Sequence, residues 1–182
     1  MPGYKYGAQL LGQHFLLYLF GYQNFEKTIL HQKQKLQKMN IKEIEYDSFE
    51  YKKSILLRDK ILREPLGLYY TDDYLLQDKG QIILGVFEEK IIQAVLHLKI
   101  VNTTTIQMRQ VAVKKNRQGK GVGTELVRYA EGIAKDRDFK RMELNARETS
   151  IPFYESLGYK CIGQEFEEIG IPHKKMYKNL VK

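Results

Sequence analysis

The sequence predicts an α/β domain in which a central sheet is flanked by helices. Residues 106–113 carry β-branched and apolar side chains on both faces, which is typical of a buried strand. From Val122 onward, apolar residues recur at helical spacing, which predicts an amphipathic helix directly after that strand. Upstream, residues 81–87 and 91–101 flank a short turn at 88–90, which predicts a β-hairpin.

Three further strands are predicted after the helix. Residues 141–144 are predicted as a short strand, and residues 159–166 and 174–180 have the character of two closing strands. The chain has 182 residues, which is enough to bury a substantial core. No linker-like segment divides residues 39–182, so we expect them to form one domain.

Residues 1–38 differ in character from the rest of the chain. Residues 10–22 are mostly apolar, but Gly12, Gln13 and His14 interrupt them and the run is too short to span a bilayer. Residues 28–38 are rich in Gln and Lys, which suits a solvated helix or disorder. We therefore expect an N-terminal extension, either disordered or the product of an over-long gene start, and no membrane span.

Charge and cysteine content exclude several classes of protein. The formal net charge is +8, and residues 1–38 contribute about half of it with five lysines against Glu26. The domain is only mildly basic, which argues against nucleic-acid binding. Cys161 is the single cysteine, so an intramolecular disulfide is impossible and no zinc-binding pattern is present. We expect no metal and a cytoplasmic location, and a homodimer is compatible with the sequence.

A glycine-rich segment joins the buried strand to the amphipathic helix. Residues 117–124 place glycine at 119, 121 and 123, at the N-terminal end of the predicted helix. The first N–H groups of a helix lack intrahelical partners and carry about half a positive charge. Glycine lets a ligand approach them closely, so this segment predicts a binding site for a phosphate or pyrophosphate.

Spacing rejects two well-known phosphate-binding motifs. A P-loop needs Ser or Thr after Gly-Lys, but Gly121 follows Lys120. The dinucleotide fingerprint needs a third glycine where this chain has Leu126. A glycine-rich turn without a ligand is the remaining alternative.

The pattern that remains resembles a known cofactor motif. Gln118, Gly121 and Gly123, preceded by a Val-Ala-Val strand end at 111–113, resemble the acetyl-CoA-binding motif of the GNAT superfamily of N-acetyltransferases. Residues 151–159, with Phe153-Tyr154 followed by a Leu-Gly-Tyr end, resemble the last helix of that family. The resemblance covers about residues 39–182.

The resemblance implies a mixed, mostly antiparallel central sheet flanked by helices. It places the first strand at residues 40–47 and the first helix with its exit at 56–68. Ser150 and Pro152 would stand at the start of the last helix, where Ser is a favourable N-cap and the missing Pro N–H has no cost.

The resemblance also implies transfer of an acetyl group from acetyl-CoA to an amine. Backbone groups at Val111, Ala112 and Val113 would hold the pantetheine and polarise the thioester, and Asn145 would contact the pantetheine from a position offset from the family's usual asparagine. Tyr154 would be the general acid. Loop cations at Lys114, Lys115, Arg117 and Lys120 would steer the CoA phosphates. The cofactor loop comprises Gln118, Gly119, Lys120, Gly121, Val122, Gly123 and Thr124.

The general base is open at this point. Glu143 is the candidate, with Gln107 and Arg109 on one face of the adjoining strand. A surface ion pair between Glu143 and Arg109 is the alternative interpretation. A water relay without a single base is the other mechanism.

The acceptor would lie beside Arg63 and near Glu168 and His173, in segments that the motif does not cover. Three carboxylates close to His173, at positions 165, 167 and 168, favour a cationic small-molecule or peptide amine; a solvated acidic turn is the alternative. A CoA-binding regulatory or interaction module without catalysis stays open as a second function, and no nucleic-acid partner is expected.

Overall fold

The computed structural model describes residues 39–181, and the predictions for residues 1–38 lie outside this part. Seven strands and four α-helices are described, together with a π-helical turn at Asp59–Arg63 and short 3₁₀ turns at Glu64–Leu66, Lys115–Arg117 and Glu148–Ser150. In chain order they are β1 (Asn40–Ile44), α1 (Phe49–Arg58), α2 (Asp72–Leu76), β2 (Ile82–Glu88), β3 (Ile91–Ile100), β4 (Thr105–Val113), α3 (Val122–Asp136), β5 (Arg141–Arg147), α4 (Ile151–Ser156), β6 (Lys160–Glu168) and β7 (Ile171–Asn179).

The strands form one sheet in the order β1-β2-β3-β4-β5-β7-β6. Every neighbouring pair is antiparallel except β4 and β5, which run parallel. This arrangement confirms the predicted mixed, mostly antiparallel sheet. The parallel pair requires a crossover, which α3 provides.

The first helix begins earlier than its predicted position at residues 56–68. Ser48 caps α1, because its hydroxyl accepts a hydrogen bond from the Tyr51 N–H at 3.1 Å. After Arg58 the helix widens into the π-helical turn and ends at Gly67, whose φ is +68°. The predicted first strand is correspondingly shorter and ends at Ile44.

The helices cover both faces of the sheet. On one face, Tyr51 and Leu57 of α1 pack in a core with Ile83, Val95 and Ala112. The apolar stripe of α3 is buried as the helical spacing predicted. Its buried members are Val122, Leu126, Val127, Ala130 and Ala134.

A bulge in β4 separates it from β5. Across β3 the register changes from His97↔Arg109 to Val95↔Ala112, so β4 has an additional residue in this stretch. Gln110 adopts φ +53°, which non-glycine residues seldom do. Pairing with β5 is confined to Thr105–Met108, and beyond this point the two strands part.

A buried polar cluster, which no sequence pattern predicted, ties α1 to the sheet. The Arg58 Nη2 atom lies 2.8 Å from Asp78 Oδ2, and the Tyr51 hydroxyl donates to the same oxygen at 2.9 Å. The His97 Nδ1 atom is 3.3 Å from Asp78 Oδ1, although the geometry does not meet that of a hydrogen bond. Burial, together with the charge of Arg58, lowers the pKa of His97 to about 4 against the opposing effect of Asp78.

His97 makes stability depend on pH. The unfolded chain binds a proton at His97 near pH 6.5, whereas the folded chain does so only near pH 4. Stability is therefore complete above pH 6.5 and falls as the pH drops toward 4, by about 3 kcal/mol. Urea denaturation at several pH values measures this. In His97→Gln the fall over this interval should flatten; an equally steep fall in that variant would exclude His97 as its cause.

Candidate functional site

A cavity of about 670 Å³ lies where β4 leaves β5. Its wall combines the second half of β4, the glycine-rich loop, the start of α3, the end of β5, the start of α4 and the π-helical turn. Because β4 pairs with β5 only as far as Met108, the backbone of β4 beyond this residue is not used in that pairing. Its peptide groups are available to a ligand in the gap.

The glycine-rich loop has the backbone that an anion site needs. Gly119 and Gly121 adopt φ values of +69° and +81°, and Gly121 stands directly before α3. A Cβ atom at either position would meet no heavy atom within 4 Å, so the backbone conformation, and not crowding, accounts for these glycines. The space beside the first N–H groups of α3 is open to a phosphate.

Most of the predicted cofactor residues line the cavity. They are Val111, Val113, Gln118, Gly119, Gly121, Gly123, Thr124 and Asn145. Three do not: the Ala112 side chain is buried in the core on the face covered by α1, Val122 is buried as the first residue of α3, and Lys120 is exposed. Alternation along a strand explains Ala112, because neighbouring side chains point to opposite faces.

Two side chains of the loop hold it in place. Gln118 Nε2 donates to the Val113 carbonyl at 2.9 Å, which anchors the loop to β4. Arg117 forms an ion pair with Glu88 and donates to Gln93 Oε1. Arg117 is therefore engaged by the β2–β3 hairpin, although it was expected to steer the CoA phosphates.

Tyr154 lies in the cavity wall, on the short helix α4. Its ring packs edge-on against Phe153 and Tyr159, with centroids 5.0 and 5.8 Å away. Burial raises the pKa of Tyr154, so the phenol stays protonated at neutral pH. Ser150 occupies the predicted N-cap position of α4, but its side chain makes no capping hydrogen bond.

The structure does not bring Glu143 into the cavity. Its carboxylate lies 2.8 Å from Arg141 Nε and 2.7 Å from Lys175 Nζ. It does oppose Gln107 across β4 and β5, as the common face predicted, and Gln107 and Arg109 do line the cavity. Glu143 is therefore ion-paired, but with Arg141 and Lys175 and not with Arg109.

The three predicted acceptor residues, Arg63, Glu168 and His173, do meet at the cavity. His173 Nδ1 lies 2.8 Å from the Ile171 carbonyl oxygen, and since a carbonyl only accepts, Nδ1 carries the hydrogen and Nε2 of the neutral ring is free to accept a proton. Glu168 accepts a hydrogen bond from Asn145 Nδ2 at 3.0 Å. Glu165 and Glu167 are exposed and outside the cavity wall, so they are solvated as the alternative expected, but they lie on β6 and not in a turn.

Two further residues of the cavity wall, Arg147 and Tyr74, were not predicted from the sequence. Arg147 was overlooked because the predicted strand ended at residue 144, whereas β5 continues to Arg147 and carries it to the cavity. Tyr74 lies on α2, a helix of five residues that is too short for a periodic pattern. The alternation of Asn145 and Arg147 on one face of a longer strand was the available signal.

The described residues, 39–181, contain no group of three or more His, Cys, Asp or Glu side chains arranged to hold a metal ion. Within the same residues, no helix combines the length and apolarity that crossing a membrane requires.

Comparison with known proteins identifies the family. Residues 72–180 match the acetyltransferase (GNAT) domain, and the chain therefore belongs to the GNAT acetyltransferases. The uncharacterised protein YyaT of Bacillus subtilis is 28% identical over 146 residues, which cover 78% of this chain and 97% of YyaT. The resemblance found in the sequence is confirmed, and the protein is an N-acetyltransferase.

Solved structures share the fold. A protein from Lactobacillus plantarum assigned to the N-acetyltransferases superposes with a TM-score of 0.72 at 23% identity, covering 79% of this chain and 99% of that one. An aminoglycoside 6′-N-acetyltransferase complexed with coenzyme A gives a TM-score of 0.66 at 17% identity, covering 79% and 98%. The seven-stranded sheet is thus the fold of known N-acetyltransferases.

A substitution at Gly123 can test acetyl-CoA binding without disturbing the fold. A Cβ atom there would lie 3.4 Å from Val113 Cγ2 and 3.5 Å from Phe153 Cζ, which are ordinary contacts. Gly123→Ala should therefore fold as stably as the wild type. The methyl group would project from the cavity wall beside the first turn of α3, so the rise in melting temperature caused by acetyl-CoA should be at least halved.

Gly132→Ala is the matched control for this substitution. Gly132 lies on the same helix, outside the cavity wall, and its added Cβ meets nothing within 4 Å. It should keep the full acetyl-CoA shift. A full shift in Gly123→Ala as well would show that the ligand does not lie against this turn.

Proposed function

We propose that the protein transfers the acetyl group of acetyl-CoA to a primary amine by direct attack on the thioester. The observation that carries this proposal is the gap between β4 and β5, which is bordered by the glycine-rich loop at one end and by Tyr154. The gap offers unpaired backbone groups to an amide-containing chain. The loop offers N–H groups to a pyrophosphate.

The donor half of the cavity fits acetyl-CoA. The pyrophosphate would lie at Gly119–Thr124 and the pantetheine along Val111 and Val113, whose peptide groups would also polarise the thioester carbonyl. The fold shared with an acetyltransferase complexed with coenzyme A supports this placement. Asn145 Nδ2 already donates one hydrogen bond to Glu168, so only the remaining hydrogen-bonding groups of this amide could contact a pantetheine.

The reaction needs three proton movements to balance. The ammonium first loses a proton, and the amine nitrogen then attacks the thioester carbon to form the C–N bond. Collapse of the tetrahedral intermediate breaks the C–S bond. The nitrogen loses its second proton, and the departing thiolate gains one, so that one proton is released overall with the amide and the free thiol of CoA.

Tyr154 and His173 are the groups that we assign to these protons. The Tyr154 phenol makes no hydrogen bond within residues 39–181, and it stays protonated because it is buried. It would donate to the thiolate. His173 is buried in the same wall with Nε2 free to accept, so it would take the proton of the amine. The ion-paired Glu143 is not needed in this scheme.

A cytoplasmic location, a homodimer and an N-terminal extension at residues 1–38 stay predictions. The single cysteine supports a location in which disulfides are not formed.

Tyr154→Phe tests the proposed acid. Loss of the proton donor should lower kcat by about 100-fold, with the KM for acetyl-CoA nearly unchanged, because the hydroxyl acts on the leaving thiolate. Thiol release from acetyl-CoA with a panel of amines measures both constants.

Tyr159→Phe is its matched control. Tyr159 is also buried, packs on Tyr154 and points its hydroxyl at Met142 Sδ, 3.0 Å away. This variant should keep nearly full turnover. Equal turnover in both variants would remove Tyr154 from the mechanism, and the absence of thiol release with every amine would favour the CoA-binding module without catalysis.

A further inference from the structure

The acceptor half of the cavity carries more positive than negative charge. Three arginines line it, namely Arg63, Arg109 and Arg147. Among the described residues, 39–181, Glu168 is the one Asp or Glu side chain in the wall. The carboxylates at 165 and 167 face solvent, so the acidic surroundings that favoured a purely cationic acceptor are not present in the cavity. The charges of the wall point to an acceptor that carries an anionic group.

Arg63 is the most buried of these arginines. It is 9% exposed, and no Asp or Glu oxygen of the described residues lies within ion-pair distance of it. Its guanidinium lies over the rings of Tyr70 and Tyr74, 4.8 Å from each centroid. Burying a guanidinium without a carboxylate is costly, and the aromatic faces offset only part of that cost.

The two tyrosines are themselves held by one side chain. The Tyr70 hydroxyl donates to Gln110 Oε1 at 2.5 Å, and Gln110 Nε2 donates to the Tyr74 hydroxyl at 2.7 Å. Gln110 is the residue with positive φ in the β4 bulge. The position of Arg63 is therefore fixed before a ligand arrives, which reduces the entropy lost on binding.

Arg147 adds a second positive charge close to Arg63. Its Nη2 atom donates to the Leu62 carbonyl at 2.9 Å, one residue before Arg63. Burial, and then the charge of Arg63, lower the pKa of Arg147 against the opposing effects of Tyr70 and Glu168, as expected for two guanidinium groups placed close together. An anion between them would relieve this repulsion and accept charge-assisted hydrogen bonds from both.

Arg63 and Arg147 lie on a different part of the cavity wall from the segment assigned to acetyl-CoA. Arg63 lies on the π-helical turn and Arg147 at the end of β5, whereas the pyrophosphate is assigned to the N-terminus of α3. Glu168 and His173 come from β6 and β7. An acid group of one small molecule would thus have Arg63 and Arg147 as partners, and its amine would have Glu168 and His173.

We propose that the acceptor is a small amine that also carries a carboxylate, as an amino acid does. Its carboxylate binds to Arg63 and Arg147, and its ammonium faces Glu168 and His173. There the ammonium loses its proton, and the amine takes the acetyl group from acetyl-CoA. This inference rests on the proposed acetyl transfer. It replaces the purely cationic amine that the acidic turn favoured.

Matched acceptors test the proposal. Each of a set of amino acids is assayed by thiol release beside its α-carboxamide and its decarboxylated amine, with phosphoethanolamine as the phosphate-bearing alternative. For the best amino acid, kcat/KM should exceed that of its amide and amine by about tenfold or more, as expected for loss of a charged hydrogen-bonding partner. Equal or better reaction of the amides and amines, or preference for phosphoethanolamine, would overturn the carboxylate assignment.

Arginine variants locate the carboxylate. Arg63→Gln and Arg147→Gln should each lower kcat/KM for the amino acid by about tenfold or more, while leaving the amide and the KM for acetyl-CoA nearly unchanged. Arg63→Lys should recover part of the loss. Arg128→Gln, which removes an exposed arginine of α3 outside the cavity wall, is the matched control and should have no effect.

The outcomes separate this inference from the acetyl transfer itself. Equal losses for amino acid and amide, or a selective rise in the KM for acetyl-CoA, would assign the arginines to another role. If no acceptor gives thiol release, binding is measured instead by the melting temperature with CoA and each member of the panel. A further rise with amino acids and not with their amides would support the carboxylate site, and no difference between them would overturn it.

Discussion

The bulge in β4 at Gln110 is the constraint on which both halves of the cavity depend. The additional residue ends the pairing of β4 with β5 at Met108 and opens the gap in which a ligand can reach unpaired backbone. The same residue turns its side chain toward Tyr70 and Tyr74, on which Arg63 rests. A single irregularity thus opens the side that we assign to the donor and organises the side that we assign to the acceptor, which explains why a strained backbone persists in the middle of a sheet.

The two halves of the cavity are built from different chemical groups. The donor side presents mainly backbone N–H groups, from the end of β4 and the start of α3, and these depend little on side-chain identity. The acceptor side presents side chains from four separate elements, namely Arg63, Arg147, Glu168 and His173. Membership of the GNAT acetyltransferases therefore says much about the donor. The acceptor has to be argued from the charges that this chain places opposite it.

Sequence patterns predicted the features that are determined by residues close together in the chain. The glycine-rich loop, the helix that follows it and the position of Tyr154 are local features, and the structure contains each of them. Contacts between distant segments were beyond that reasoning. The pairing of Arg58 with Asp78, and that of Glu143 with Lys175, join residues that are distant in sequence and that only the folded chain brings together. Glu143 and Gln107 do share a face, but the cavity opens beyond them, because the strands part only after Met108.

The central claim is that the cofactor lies between the parted strands. Amide hydrogen exchange with and without CoA tests it most directly, because it reports on the backbone groups themselves. The account predicts that CoA slows exchange at the amides of Val111 and Val113 and at those of residues 119–124, while exchange along β1 stays unchanged. Slower exchange confined to other strands, with none at the end of β4 or in the loop, would contradict it.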